Sequence, residues 1–592
     1  MTRNASQLGV YETYEEFHGR KSTMDELIAD VAQFSQQSML WVCAVIITGM
    51  QLWDRIDNQP AGVFYALIKL YFDRPFHARL LAGFWGANPR KVLFHRRQIL
   101  LIAKLSIKHG AKGSLDARVN AQLIGQTLLK ANDQLSHGLL DERSLPKEGG
   151  FPTTREDLSK LVVEMLATGE DGSIHIPQMM TRSHLMLTRF VEELRGHSDW
   201  IDLAGEYERT TGLTLEEREA MIMAVHSRYG AQLSKDLYRD PGVLPLKAGN
   251  FGTTAVSRTK VSAFLSAVSG TVPAMAKELN VKDDGANDTT VFRKYPLIGQ
   301  FYNGHLKNAW LGYLMMDNGF LLEKVLSGPY WHAVSKYGQR LHRFWGAVFE
   351  RYVHELIRAA TTGTSSTYLP DPRSAVEPSV QLCDGVLRWD DCLVLMEYKG
   401  AIFRADAKYS GNPTMLAAEI EKKLVHDHQS GKKKGVEQLA EAVKIAFGPD
   451  GETTFPQINL KGIKRVYLYI ITLDSIGGTI GMSTLLNTFL DPILDRTAYP
   501  GLEIRPLFCS EVEALEAITM LFGSISLPQM LEKWYQDNTA LALPLQSVDF
   551  GNVRWEDNKW LQAEWGERFK STARILFPNE TPDEAFLKGM RL

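Results

Sequence analysis

Residues 393–399 read Leu-Val-Leu-Met-Glu-Tyr-Lys: four consecutive apolar side chains run straight into an acid and a base. A short apolar run of this kind predicts a strand buried on both faces. Residues two apart on a strand share a face, so Glu397 and Lys399 sit side by side. Burying such charges unpaired costs several kcal/mol or more, so they need a partner or a chemical role. Just upstream, 379–389 is a second β-prone run, and Asp390-Asp391 can serve as a two-residue turn although it lacks the usual glycine. With that turn, Asp384 stands directly opposite Glu397. Directly opposed Cβ atoms lie ~4.5–5.5 Å apart, where like charges repel. A divalent cation between them converts the repulsion into a ligand pair. Mg²⁺ suits such a site, with one or two carboxylates plus waters and phosphate oxygens.

The surroundings of this hairpin predict an α-β-β-(β)-α-α-β-α-β-α order. A helix is expected over about 337–359. Strands follow at 379–389 and 393–400, with 402–408 as a third candidate. Helical patterns occupy about 414–428 and 435–447. The run RVYLYIIT makes 465–472 a strand, followed by a helix at about 481–492 and a short strand at 503–508. Ser510-Glu511-Val512-Glu513 is expected to cap one more helix. That order gives a mixed sheet flanked by helices.

The pattern Asp384-x(12)-Glu397-x-Lys399, preceded by the helix GAVFERYVHELI at 346–357, resembles the PD-(D/E)XK nuclease superfamily, which is restriction-endonuclease-like. The resemblance covers about residues 340–520. It implies that Asp384 and Glu397 bind Mg²⁺ (or Mn²⁺), with the Tyr398 carbonyl as a third ligand. Glu350 on the preceding helix would bind through water or hold a second ion. Lys399 would orient the attacking water. Some members place a helical glutamine beside the site, which here is Gln438. Many of those read Q-x-x-x-Y, whereas position 442 is Ala442. Two other readings stand beside this one. Glu397 and Lys399 can form a purely structural salt bridge with Asp384 in a turn. Asp406-Ala407-Lys408 also spells an acid/lysine pair and is a rival catalytic register.

Other candidates are weaker. Lys432, Lys433 and Lys434 read as a solvated loop or, beside a nuclease core, as a hold on a phosphate backbone. Arg90, Lys91, His95, Arg96 and Arg97 in 88–100 read as a solvated helix face, with phosphate contact as the alternative. His426 and His428, two apart on an expected helix, diverge and read as exposed polar residues. The segment 166–176 lacks the oxygen ligands of a calcium loop. The aromatic run 328–346 reads as packing rather than base stacking.

Before residue 335 the chain reads mainly as helices, with capping boxes expected at Thr153–Glu156 and Thr214–Glu217. The polar stretch 283–290 is the best candidate for an exposed boundary. The apolar run Met39–Met50 is too short to span a bilayer, which needs about 20 residues. The four cysteines form no C-x-x-C pair and are expected to be reduced and buried, as in a reducing compartment. A net charge of −3 excludes nucleic-acid binding over the whole surface and calls for a local basic patch and a metal ion. No phosphate-binding loop motif occurs, so a second protein would supply any ATPase or sensing function.

The expectation is therefore an α/β (α+β) chain in three parts. Residues 1–335 form a mainly helical region with a sensing or regulatory role, 336–530 a restriction-endonuclease-like domain, and 531–592 a C-terminal helical extension. The expected protein is cytoplasmic and does not enter a membrane, and a homo-oligomer is allowed. The resemblance implies a Mg²⁺-dependent endonuclease acting on DNA, in bacterial defence against phage or foreign DNA. A partner-triggered RNase, and a catalytically silent nuclease fold acting as a nucleic-acid-binding or scaffold subunit, stand as alternatives.

Overall fold

The apolar run at 392–396 lies in the central strand of a five-stranded mixed sheet in the computed structural model of the chain. The structure describes residues 10–56, 67–86, 91–110, 113–135, 151–169, 176–232, 245–281, 285–302, 311–409, 411–538, 543–545, 548, 558–581 and 584. The strands are β1 (Thr367–Pro370), β2 (Gly385–Trp389), β3 (Cys392–Lys399), β4 (Arg465–Thr472) and β5 (Glu503–Glu511), in spatial order β5-β4-β3-β2-β1. β1, β2 and β3 form an antiparallel meander, while β3, β4 and β5 run parallel. A parallel pair needs a long crossover. The one between β3 and β4 contains the helix Pro413–Ile420 and helix α2 (Gly435–Ala446), and helix α3 (Met482–Leu490) joins β4 to β5.

Both faces of the sheet are buried. On one face Leu393, Leu395, Val466, Leu468 and Ile470 pack with Val436, Leu439 and Val443 of α2 and with Leu485 and Leu486 of α3. On the other, Val394, Met396, Tyr398, Tyr467 and Tyr469 pack with Val348, Phe349 and Tyr352 of the long helix α1 (Asn318–Thr361). Burying each such side chain contributes about 1.5–3 kcal/mol, which is why the β3 sequence is apolar without alternation. The β5 edge is not left open. Asn487 accepts the Leu507 N–H and donates to the Leu507 carbonyl, both at 2.8 Å, and Ser483 Oγ accepts the Cys509 N–H at 3.1 Å.

Several local expectations are corrected. The segment 402–408 is no strand: Ala405–Lys408 is a short helix. The strand expected from 379 begins only at Gly385, and β1 went unforeseen. The helix expected to reach 428 ends at Val425, and His426–Asp427 pairs with Lys432–Lys433 in a small hairpin. Ser510 caps nothing, because its hydroxyl bonds the Tyr469 hydroxyl at 2.6 Å. The cap expected at Thr153 falls one residue later: Thr154 Oγ1 accepts the Asp157 N–H at 3.2 Å. The box at Thr214 and Glu217 forms reciprocally, both bonds at 3.1 Å.

The N-terminal region holds a four-stranded sheet as well as helices, with strands Pro245–Leu246, Ser269–Thr271, Leu297–Tyr302 and Leu311–Met315. The expected boundary at 335/336 falls beside a break in α1: Gly338 leaves helical geometry (φ 49°, ψ −124°), and two helices meet there. Of the stretch 283–290, Asp288 and Thr289 are buried, and Lys104 donates to the Gly285 carbonyl, so this part packs against the helix Arg96–His109 rather than standing as an exposed boundary. Buried ion pairs tie the parts together. Arg182 bonds Glu516 at 3.0 Å, and Tyr352 of α1 donates to the same carboxylate at 2.5 Å. The C-terminal helix Lys559–Leu576 joins the N-terminal region: Arg568 pairs with buried Glu219, and the Leu576 carbonyl accepts the Ala255 N–H at 2.8 Å. Among the described residues no single helix is long and apolar enough to cross a membrane.

The basic stretch 88–100 is corrected too. His95, Arg96 and Arg97 are buried, not a solvated or phosphate-binding face. Arg96 pairs with Asp317 at 2.6 Å, Arg97 donates to Asn287, and His95 bonds Asn132 at 2.9 Å. Arg90 lies outside the described residues, as do 170–175 of the segment compared with a calcium loop. All four cysteines are free thiols and buried. In the aromatic run, Tyr330, Phe344 and Trp345 are buried in the core.

Candidate active site

The β2–β3 hairpin turns at Asp390-Asp391, with Asp390 in the left-handed region at φ 51°. Its pairs run from Trp389↔Cys392 to Gly385↔Met396. The next position in that register sets Asp384 against Glu397. Lys399 follows on the same face of β3. Its ammonium donates to Glu397 Oε2 at 2.5 Å and lies 3.8 Å from Asp384 Oδ2. The two carboxylates therefore converge on one point. α2 arrives from the side: Gln438 Oε1 accepts from Lys399 Nζ at 2.9 Å. α2 can begin here because residue 435 is glycine. A Cβ on Gly435 would lie 2.9 Å from Ile470 Cδ1 and 3.3 Å from Lys399 Cε.

Asp384 is oriented by the backbone of β3. The Lys399 carbonyl accepts the Leu473 N–H at 3.0 Å on the β4 side. Successive residues of a strand direct their N–H and C=O groups to opposite edges, so those of Tyr398 both face the β2 side. The Tyr398 N–H donates to Asp384 Oδ2 at 2.7 Å, and Gln381 Nε2 donates to Oδ1 at 3.2 Å. The Tyr398 carbonyl thus points to the same edge as the Asp384 carboxylate.

The site is largely buried and strongly charged. The Glu397 side chain is 2% exposed, Lys399 14% and Asp384 16%. Burial, then the nearby Asp384 charge, raises the Glu397 carboxyl to about 8 against the pull of Lys399. Burial lowers the Lys399 ammonium, but Glu397, Asp384 and Glu350 outweigh it and hold its pKa above the ordinary lysine value. Burial, then Lys399, pushes the half-buried Lys434 ammonium down.

Two carboxylates share one ammonium, and both carry oxygen donors. Asp384, Glu397 and the Tyr398 carbonyl therefore suit a hard divalent cation such as Mg²⁺ or Mn²⁺. Among the described residues no three His, Cys, Asp or Glu side chains are grouped to hold an ion. The acids act as a pair, with backbone and water completing any coordination.

Of the residues named from sequence, Asp384, Glu397, Lys399 and Gln438 come together. Glu350 stands on α1, against the opposite face of the sheet. Its Oε1 accepts from His354 Nε2 at 3.3 Å, and its charge reaches Lys399. The rival pair does not converge. Asp406 and Lys408 lie on a four-residue helix, and Lys408 turns inward to bond Asp474 at 2.6 Å and Ser475 at 2.8 Å. Lys432 and Lys433 are exposed on the hairpin before α2, and Lys433 reaches Glu441 at 3.3 Å. His426 and His428 do not diverge: the hairpin brings their rings to 4.6 Å, and each bonds a glutamate, Glu437 and Glu421.

Sequence reading missed what lies beneath the site. The Tyr398 side chain crosses to the other face, where its hydroxyl meets that of Tyr368 at 2.9 Å; Tyr368 in turn bonds His354 Nδ1 at 2.5 Å. His354 was legible in principle, because it stands four residues after Glu350 on the same helix face. Tyr368, on an edge strand, carried no signal. No family model, no curated protein and no solved structure matches this chain.

Proposed function

We propose that this protein is a metal-dependent phosphodiesterase of the PD-(D/E)XK type, with a restriction-endonuclease-like sheet, acting on DNA. One observation carries the reading: the hairpin register sets Asp384 beside Glu397 and aims Lys399 at both, with Gln438 fixing the amine. A structural salt bridge needs one acid and one base. Here a second buried acid raises the cost of ionising Glu397, a liability that a cation would remove.

Asp384, Glu397 and the Tyr398 carbonyl would hold Mg²⁺ or Mn²⁺. A divalent cation there supplies a Lewis acid for the phosphate and makes a water more acidic. The residues do the rest. Lys399, anchored by Gln438, holds the attacking water and places a fixed positive charge beside the phosphate oxygens. Its charge counts for more because the site is largely buried. Water adds to phosphorus and the P–O ester bond breaks, leaving a phosphate on one product end and a hydroxyl on the other. DNA is preferred to RNA by resemblance alone, as is a setting in defence against foreign DNA.

The test is nicking of supercoiled plasmid with Mg²⁺, Mn²⁺ or EDTA, by wild type and Lys399→Ala. Wild type should nick only with metal, and the variant should lose ~10²-fold or more of the rate. Equal rates in the two would reject the assignment. Parallel reactions on duplex DNA, single-stranded DNA and tRNA decide the substrate.

A further inference from the structure

A chain of four polar side chains runs beneath the candidate site, from β3 through β1 to α1. We propose that Tyr368 and His354 are positioning residues that brace Asp384 from below and tie it to Glu350, an inference whose catalytic meaning rests on the nuclease reading.

The chain ends on a carboxylate. The Glu350 carboxylate only accepts, so His354 Nε2 carries the proton. Nδ1 of the same ring bonds the Tyr368 hydroxyl at 2.5 Å, and that hydroxyl bonds the Tyr398 hydroxyl at 2.9 Å. The His354 ring also stands edge-on to the Tyr398 ring, with centroids 5.4 Å apart.

The link to Asp384 is steric as well as polar. A Cβ on Gly385 would fall 2.2 Å from the Tyr398 hydroxyl and 3.0 Å from that of Tyr368. The backbone next to Asp384 therefore rests directly on the phenol, and only glycine permits the approach. From above, the Tyr398 N–H holds Asp384 Oδ2 at 2.7 Å. Tyr398 thus grips the Asp384 segment with its backbone on one side and its hydroxyl on the other. The phenol keeps its place only while Tyr368 and His354 hold it. Groups that orient ligating side chains in this way are typically worth about 10–100-fold in metal affinity or activity.

The experiment compares wild type with Tyr368→Phe, which removes one hydroxyl and keeps the ring, and with His354→Leu, which breaks the chain one step further on. Amide hydrogen exchange of the segment containing Tyr398 is measured without metal, and plasmid nicking is titrated with Mn²⁺. Both variants should exchange the Tyr398 amide faster, while exchange in the buried strand β4 stays at the wild-type rate. Both should raise the Mn²⁺ concentration for half-maximal nicking about 10–100-fold, with a smaller change at saturation. Unchanged exchange at Tyr398 in both variants would overturn the brace whether or not the protein cuts. Faster exchange in a protein whose wild type never nicks DNA would support the brace and remove the nuclease reading.

Discussion

The strongest quantitative consequence of the site concerns Glu397. Its carboxyl is raised from 4.5 to about 8, first by burial and then by Asp384. Between those two values the folded protein binds a proton that the unfolded chain has released. Stability therefore falls as pH rises through that window and levels off above about 8. At 1.36 kcal/mol per unit, the carboxyl costs the metal-free protein about 5 kcal/mol on going from pH 4.5 to 8. Lys399 does not cancel this, because its raised ammonium loses stabilising charge only above the ordinary lysine range. Glu397→Gln keeps the shape and cannot ionise. Urea unfolding of wild type and variant in EDTA, at intervals from pH 5 to 9, isolates the effect as the difference between the two curves. The variant should gain on wild type steadily up to about pH 8 and then hold its advantage. Parallel curves would show that Glu397 is not held protonated by its surroundings, and the electrostatic account of the site would fail.

Three further outcomes are expected. Gly435→Val should crowd Ile470 and Lys399, cost about 1–3 kcal/mol in thermal or urea unfolding, and abolish nicking by moving the amine. Lys408→Met should leave Asp474 buried without its cation and lower stability by about 3–5 kcal/mol, while the folded fraction keeps its nicking rate; loss of activity in fully folded protein would revive the Asp406/Lys408 register. Gln438→Leu should free the Lys399 ammonium from its second partner and slow nicking about tenfold with little change in melting temperature, whereas an unaffected rate would remove Gln438 from the site.

How much of this was legible before any coordinates follows from range. The β2–β3 hairpin is a local object: an apolar run, a two-residue turn and strand alternation are enough to oppose Asp384 and Glu397. The run 465–472, buried on both faces, announced itself in the same way. The failures were of two kinds. Short elements such as 402–408 and β1 lack the length over which periodicity can speak. Charged helices were misjudged because a solvated arginine and a buried, paired one look alike in sequence. Arg96 is buried because Asp317, 221 residues later, meets it.

The sequence alone determined a lysine two residues after an acid on one strand face, and a two-residue turn at Asp390-Asp391 as one register that sets Asp384 opposite Glu397; the pairing Trp389↔Cys392 fixes that register. Tertiary structure alone decided what surrounds it. Gln438 reaches Lys399 across 39 residues, and Tyr368 reaches Tyr398 across 30. Those contacts depend on the order of strands and on which helix covers which face. No local propensity encodes either, since both follow from burying two apolar faces of one sheet at once.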